Sequence, residues 1–304
     1  MPKKIILAIH GLGNKPSKRT LTNYWIKSIQ EGLDQIKSPL KMPEFEMIYW
    51  ADIFHEKPLT RRKKKPDDPF YYHEPYTKSD NKPQRIDEST RVKIIEFLGH
   101  QINQLFLKRD LSLNHNVLTD FILENYFKEL SAYYHEVCND QNKIECFAKD
   151  LIQRRTIIAL EKFQDHEIML IGHSMGSIIA FDVLTFLVPK LKIHSFVTIG
   201  SPLGLPIVVG KIAAEQKIIG EVGDILHTPP GVTHHWKNFS DLHDNIALKH
   251  RLADDFKANK HGVKPNDSLV FNDYMIDDLA NPHKSFGYLR TPEFSNFVVD
   301  FLKN

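Results

Sequence analysis

The stretch Ile168-Met169-Leu170-Ile171-Gly172-His173-Ser174-Met175-Gly176 constrains the fold of this chain more than any other. Its four leading apolar residues read as a short buried strand. Ile178, Ile179, Phe181, Val183, Leu184 and Leu187 follow at helical spacing. The chain must therefore pass from strand to helix within the five residues Gly172 to Gly176, and the glycines stand where a side chain would collide. Such a turn lifts the Ser174 hydroxyl above the sheet, at the positive end of a helix. Gly-x-Ser-x-Gly alone is short enough to arise by chance; the strand before it and the helix after it carry the reading.

The rest of the chain repeats this rhythm. Ile5 to Ile9, Phe45 to Trp50, Phe196 to Ile199, Trp236 to Phe239 and Val270 to Ile276 are strand candidates. Trp25, Ile29, Leu33 and Ile36 mark a helix that Thr22 is placed to cap. A helix from about 144 to 163 leads into Ile168, and another runs from Pro292 to Leu302. Strands separated by helical segments predict an α/β fold over 1–304, a mainly parallel sheet covered by helices on both faces. Residues 54–141 break the rhythm. They open with the loop-like run Arg61 to Pro69, and then show two helical patterns, through Val92, Ile95, Ile102 and Leu105 and through Val117, Phe121, Tyr126, Leu130, Tyr133 and Val137. We expect a helical insertion there, a cap whose aromatics Tyr126, Phe127, Tyr133 and Tyr134 are candidates to line an apolar pocket.

Composition narrows the partners. Forty basic residues against 38 acidic give a net charge of +2, which offers nucleic acid no particular attraction. Two cysteines, Cys138 and Cys146, are too few for an oxidised scaffold and read as reduced thiols in a cytoplasmic protein. The apolar run at Ile5 is too short for a signal peptide, and no stretch approaches the ~20 apolar residues of a membrane helix. The loop His10-Gly11-Leu12-Gly13-Asn14 lacks the glycine patterns of a nucleotide cradle, and His234-His235 has no carboxylate at ligand spacing. No cofactor and no metal is implied. The basic run Arg61 to Lys65, followed at once by Asp67 and Asp68, reads as a solvated loop.

A serine hydroxyl needs a base, and the base needs an orienting acid. In a fold of this kind they follow the serine in the order acid, then histidine. Two aspartates follow the strand at Trp236 to Phe239. Asp241, at the strand end, is suited to cap its own turn; Asp244, further out, is favoured as the acid, with Asp241 the alternative. His250 falls in a charged segment that reads as helical and solvated, and His261 in a polar loop. His283, after the last candidate strand and before the final helix, is the favoured base. The backbone amides of Leu12 and Met175 are the candidate donors for an oxyanion.

Together, His10-Gly11, Gly172 to Gly176, Gly200-Ser201-Pro202-Leu203-Gly204 and Pro282-His283 resemble the α/β-hydrolase superfamily, in its lipase- and esterase-like branch. The resemblance covers 1 to about 55 and about 145 to 304, and implies an oxyanion donor in the His-Gly loop. The expectation is a serine hydrolase cleaving a small, apolar acyl ester with Ser174, Asp244 and His283. An acyltransferase or thioesterase on the same residues, or a non-catalytic binding protein of this fold, are the alternatives.

Overall fold

The computed structural model describes residues 2–62, 64–79, 148–218, 226–244, 246–247, 249–277 and 279–303. In chain order the elements are β1 (Lys4–Ile9), α1 (Lys18–Gln35), β2 (Glu44–Ile48), α2 (Ala148–Lys162), β3 (Glu167–His173), α3 (Met175–Asp182), β4 (Ile193–Ile199) and α4 (Pro206–Ile218). There follow β5 (Leu226–His227), β6 (Val232–Ser240), β7 (Phe256–Lys257), β8 (Pro265–Leu269), β9 (Met275–Ile276), β10 (Leu279–Ala280), α5 (Ser285–Leu289) and α6 (Pro292–Lys303). Six strands form one sheet in the order β2-β1-β3-β4-β6-β8, every neighbouring pair parallel. The short pairs β5–β7 and β9–β10 lie outside it.

Side chains alternate across this sheet as a strand period of two requires. Ile5, Leu7, Ile9, Ile168 and Leu170 face a core closed by α2, α3 and α4. Ile6, Ala8, Met169 and Ile171 face the opposite core, closed by α1, α5 and α6. Burial on both faces explains why these strands read as unbroken apolar runs rather than alternating ones. This is the α/β-hydrolase fold.

The strand order fixes where a ligand can bind. The chain lays down β1, steps to β2 on one side, then crosses to β3 on the other and continues outward. The order therefore reverses at the β1–β3 pair, and the loops leaving the carboxyl ends of those two strands diverge to open a crevice. Those loops are His10 to Asn14 and the turn at Ser174.

The structure corrects several readings of the sequence. Ser17, not Thr22, caps α1, its side chain accepting the Thr20 amide; Leu21 is buried with Trp25, so the helix begins a full turn earlier. The strand foreseen at Val270 to Ile276 lies instead at Pro265–Leu269, and of the foreseen run only Met275–Ile276 is extended, in a two-residue strand. The helix at Gly176 to Leu187 is α-helical to Asp182 and finishes as a π-turn over Val183–Leu187. His250 is buried, and its segment is irregular rather than helical. Residues 80–147, with the apolar stripes at Val92 and Val117, the proposed cap aromatics and both cysteines, lie outside the described residues.

The first part of the 54–141 segment is described, and it packs on the core. Tyr72 and Tyr76 stack against Tyr24 of α1, and Tyr76 meets Phe286 edge-on. Buried Arg290 ties this strap to the C-terminal half: its guanidinium donates to the Thr77 carbonyl (2.6 Å) and to Asp273 (2.6 Å), and pairs with Glu31 (3.4 Å). Glu74 accepts from Asn281 (2.7 Å) and from Lys284 (2.8 Å), on either side of His283.

Candidate functional site

Ser174 occupies the turn between β3 and α3 with φ 53° and ψ −126°, a conformation an L-residue rarely adopts. Strain of this kind amounts to roughly 1–3 kcal/mol and persists only where the surroundings enforce it. They do so here by crowding. A side chain at Gly172 would come within 2.6 Å of the Ser177 backbone, and one at Gly176 would overlap the Ile9 carbonyl. The sharp turn is thus wedged between its own helix and β1.

His283 reaches Ser174 from the loop before α5. Its Nε2 lies 3.0 Å from the Ser174 hydroxyl, and its Nδ1 lies 2.9 Å from both oxygens of Asp244. Ser174 and Asp244 are buried, and the imidazole is part-exposed. Asp244 also accepts from the Tyr288 hydroxyl (2.7 Å) and from the amides of Ile246 (2.9 Å) and Ala247 (3.3 Å). Burial by itself would raise this carboxyl, but His283 and these donors outweigh it and hold its pKa below the usual value. The acid is therefore ionised, and with Nδ1–H directed at it, Nε2 faces the serine as an acceptor.

The alternative acid, Asp241, points elsewhere. It accepts from the His243 amide (2.7 Å) and the Asn272 amide (2.6 Å), while its own amide is bonded to the Tyr288 hydroxyl (3.0 Å). It is a turn-capping residue, and Tyr288 links it to Asp244. His261 is exposed in its loop, and the buried His250 has no hydrogen-bond partner at its Nδ1 among the described residues. His234 and His235 are exposed on β6, with His234 stacked on His194. Among the described residues no group of three His, Cys, Asp or Glu side chains is placed to hold a metal ion.

The His10–Asn14 loop is pressed against the serine: a Cβ on Gly11 would lie 2.8 Å from that of Ser174. Buried His10 holds the loop. Burial, with Lys15 nearby, lowers its pKa to about 3, so the ring is neutral. Its Nε2 accepts the Trp50 amide (3.0 Å), which leaves the proton on Nδ1 to bond the Gly11 carbonyl (2.8 Å). That carbonyl and the Leu12 N–H belong to one planar peptide, so pinning one orients the other. Met175 is the first residue of α3, and its N–H is among the donors a helix start leaves without an intrahelical partner.

Three contributors escaped the sequence reading. Tyr288 carries no motif. His173 fills a position of Gly-x-Ser-x-Gly that asks for no particular residue, yet its Nε2 bonds the His283 carbonyl (2.8 Å). Gly200 was noted within Gly-Ser-Pro but without a role. It has φ +53°, and a Cβ there would lie 2.9 Å from the Asp244 carboxylate and 3.2 Å from His283 Nδ1. A glycine ending a strand next to the nucleophile strand was the one available signal.

Residues 89–219 match the PGAP1-like alpha/beta domain family, a span that includes β3, the Ser174 turn and β4. No curated relative matches the sequence. No described helix is long and apolar enough to cross a membrane. By its sheet and its strand-to-helix turn the chain has the α/β-hydrolase fold, and over residues 89–219 it is similar to the PGAP1-like alpha/beta domain.

Proposed function

We propose that this protein is a serine hydrolase that cleaves the carboxylic ester of a small, apolar acyl substrate through an acyl-enzyme. Ser174 Oγ attacks the carbonyl carbon as His283 Nε2 takes its proton, and Asp244 stabilises the imidazolium that forms. The Leu12 and Met175 amides receive the developing oxyanion. Collapse of the tetrahedral species expels the alcohol, which takes the proton from Nε2, and water then repeats the sequence to free the acid. The observation that carries this reading is the continuous line from Ser174 Oγ to His283 Nε2 at 3.0 Å and from Nδ1 to Asp244 at 2.9 Å. A fluorophosphonate probe, followed by an acyl-length series of aryl esters, tests it. The parent should be labelled at one serine and hydrolyse the esters; Ser174→Ala should keep its fold and lose both properties. Stoichiometric labelling of the alanine variant at another serine would remove Ser174 from the role.

A further inference from the structure

The Asp244–His283–Ser174 line depends on a loop, Asn281 to Lys284, that belongs to no strand or helix. We infer that Asn272 is the positioning residue that holds His283 in line with Ser174, a role that rests on the reading proposed above. Asn272 is buried, and its side-chain Nδ2 donates to the Pro282 carbonyl (2.7 Å) and to the Lys284 carbonyl (2.8 Å). These are the residues on either side of His283. The carbonyl between them, that of His283, takes the bond from His173. Three successive carbonyls are thereby fixed, leaving the imidazole little freedom to swing away from the serine.

The carboxamide has one permitted orientation. Its Oδ1 accepts the Tyr274 amide at 3.1 Å, so a flip would set an oxygen against two carbonyls and an NH2 against an N–H. The Asn272 backbone is itself held, because its amide bonds Asp241 Oδ2. Asp241, the alternative acid by its place at the end of the Trp236 to Phe239 strand, thus acts on His283 through Asn272. Gly287 completes the arrangement: a methyl group there would overlap the Asn272 carboxamide. The buried two-pronged donor and the glycine facing it therefore both bear on the carbonyls that flank His283.

Asn272→Asp keeps the shape and the Oδ1 acceptor but removes both donors; Asn272→Ser is a second variant should the first not fold, and Gly287→Ala displaces the side chain without altering it. A misplacement of about 1 Å costs on the order of a hundredfold in rate. Each variant should therefore lose roughly that factor in kcat with KM little changed. In a His283→Ala background the same substitutions should cost nothing further. A readout independent of turnover is the proton resonance of His283 Nδ1–H, assigned by its absence in His283→Ala. It should be sharp in the parent and broadened or lost in the Asn272 variants. An unchanged resonance in a folded Asn272→Asp protein, or an equal loss of rate with and without His283, would overturn the role. Loss of the resonance in a protein that hydrolyses no ester and takes no probe would uphold the positioning and reject the hydrolase reading.

Discussion

Two buried aspartates, at the acid loop after β6 and at the end of the nucleophile helix α3, have opposite electrostatic fates. Asp244 is surrounded by donors from four residues, and its carboxyl is held down. Asp182 is as deeply buried, but neither oxygen has a hydrogen-bond partner among the described residues, and Lys149 Nζ stands 3.7 Å away. Burial pushes its carboxyl up to about 7, only partly opposed by Lys149. Burial is common to both; the supply of donors decides which remains an anion at neutral pH. The carboxylate beside His283 is the one the fold has surrounded with N–H and O–H groups.

The severest test of this contrast removes the charge of Asp244. Asp244→Asn should lower kcat by about 10⁴-fold, since the amide can no longer hold the imidazole in the needed tautomer. Asp241→Asn should cost far less in rate. Its main effect is on stability, about 1–3 kcal/mol, as an amide NH2 is turned against the Asn272 or His243 N–H. Rates and urea denaturation on both variants check this, and equal rate losses would erase the distinction between the two carboxylates.

A smaller effect is expected of Tyr288→Phe, which takes one donor from Asp244 and the partner of the Asp241 amide together. The Asp244 carboxyl should titrate at higher pH, as read by carbon NMR of the carboxylate. Its lowered folded value contributes stability above the ordinary pKa of 3.8, lost as pH falls through the folded value. That contribution should shrink in the phenylalanine variant. An unmoved titration would show that His283 and the backbone amides suffice.

The mildest change is Asp182→Asn, which should leave ester turnover at the parent level. Between about 3.8 and 7 the folded parent keeps a proton that the unfolded chain has lost, so this group weakens the fold as pH rises. The variant lacks that slope. Its stability relative to the parent should therefore climb with pH across that window, by at most about 1.4 kcal/mol per pH unit. A difference that stays flat from pH 4 to 8 would mean that Asp182 is ionised throughout.

The fold was legible because its signals are local. Ile5 to Ile9 and Ile168 to Ile171 are buried on both faces and so read as continuous apolar runs. The turn at Ser174 announces itself through its glycines. Ser174, Asp244 and His283 could be nominated from chain order and strand ends alone, and the structure places His283 within hydrogen-bond distance of both Ser174 and Asp244. What was illegible is set by distant partners. Edge strand β8 is polar because Asp267 turns its carboxylate to the amides of Leu252 and Ala253 and to Asn238. The apolar run after it leaves the sheet, and there the Asn272 amide bonds Asp241. His250 sits among charged neighbours in sequence but is buried in the fold. Tyr288 and Asn272 lie in segments whose local pattern says nothing of the carboxylate or carbonyls they meet.

The strap and the C-terminal helices knit together residues very far apart along the chain: Lys4 bonds the Phe301 carbonyl, Arg290 pairs with Glu31, and Glu74 meets Lys284. Contacts of such high sequence separation carry a loop-closure cost that prior ordering of the chain between reduces. On a ribosome, β1 to β4 can emerge and pair while His283 is still unmade. The nascent protein would then carry a finished serine turn with no imidazole beside it. The Ser174–His283–Asp244 arrangement is completed only by segments made after the sheet that supports it can already exist.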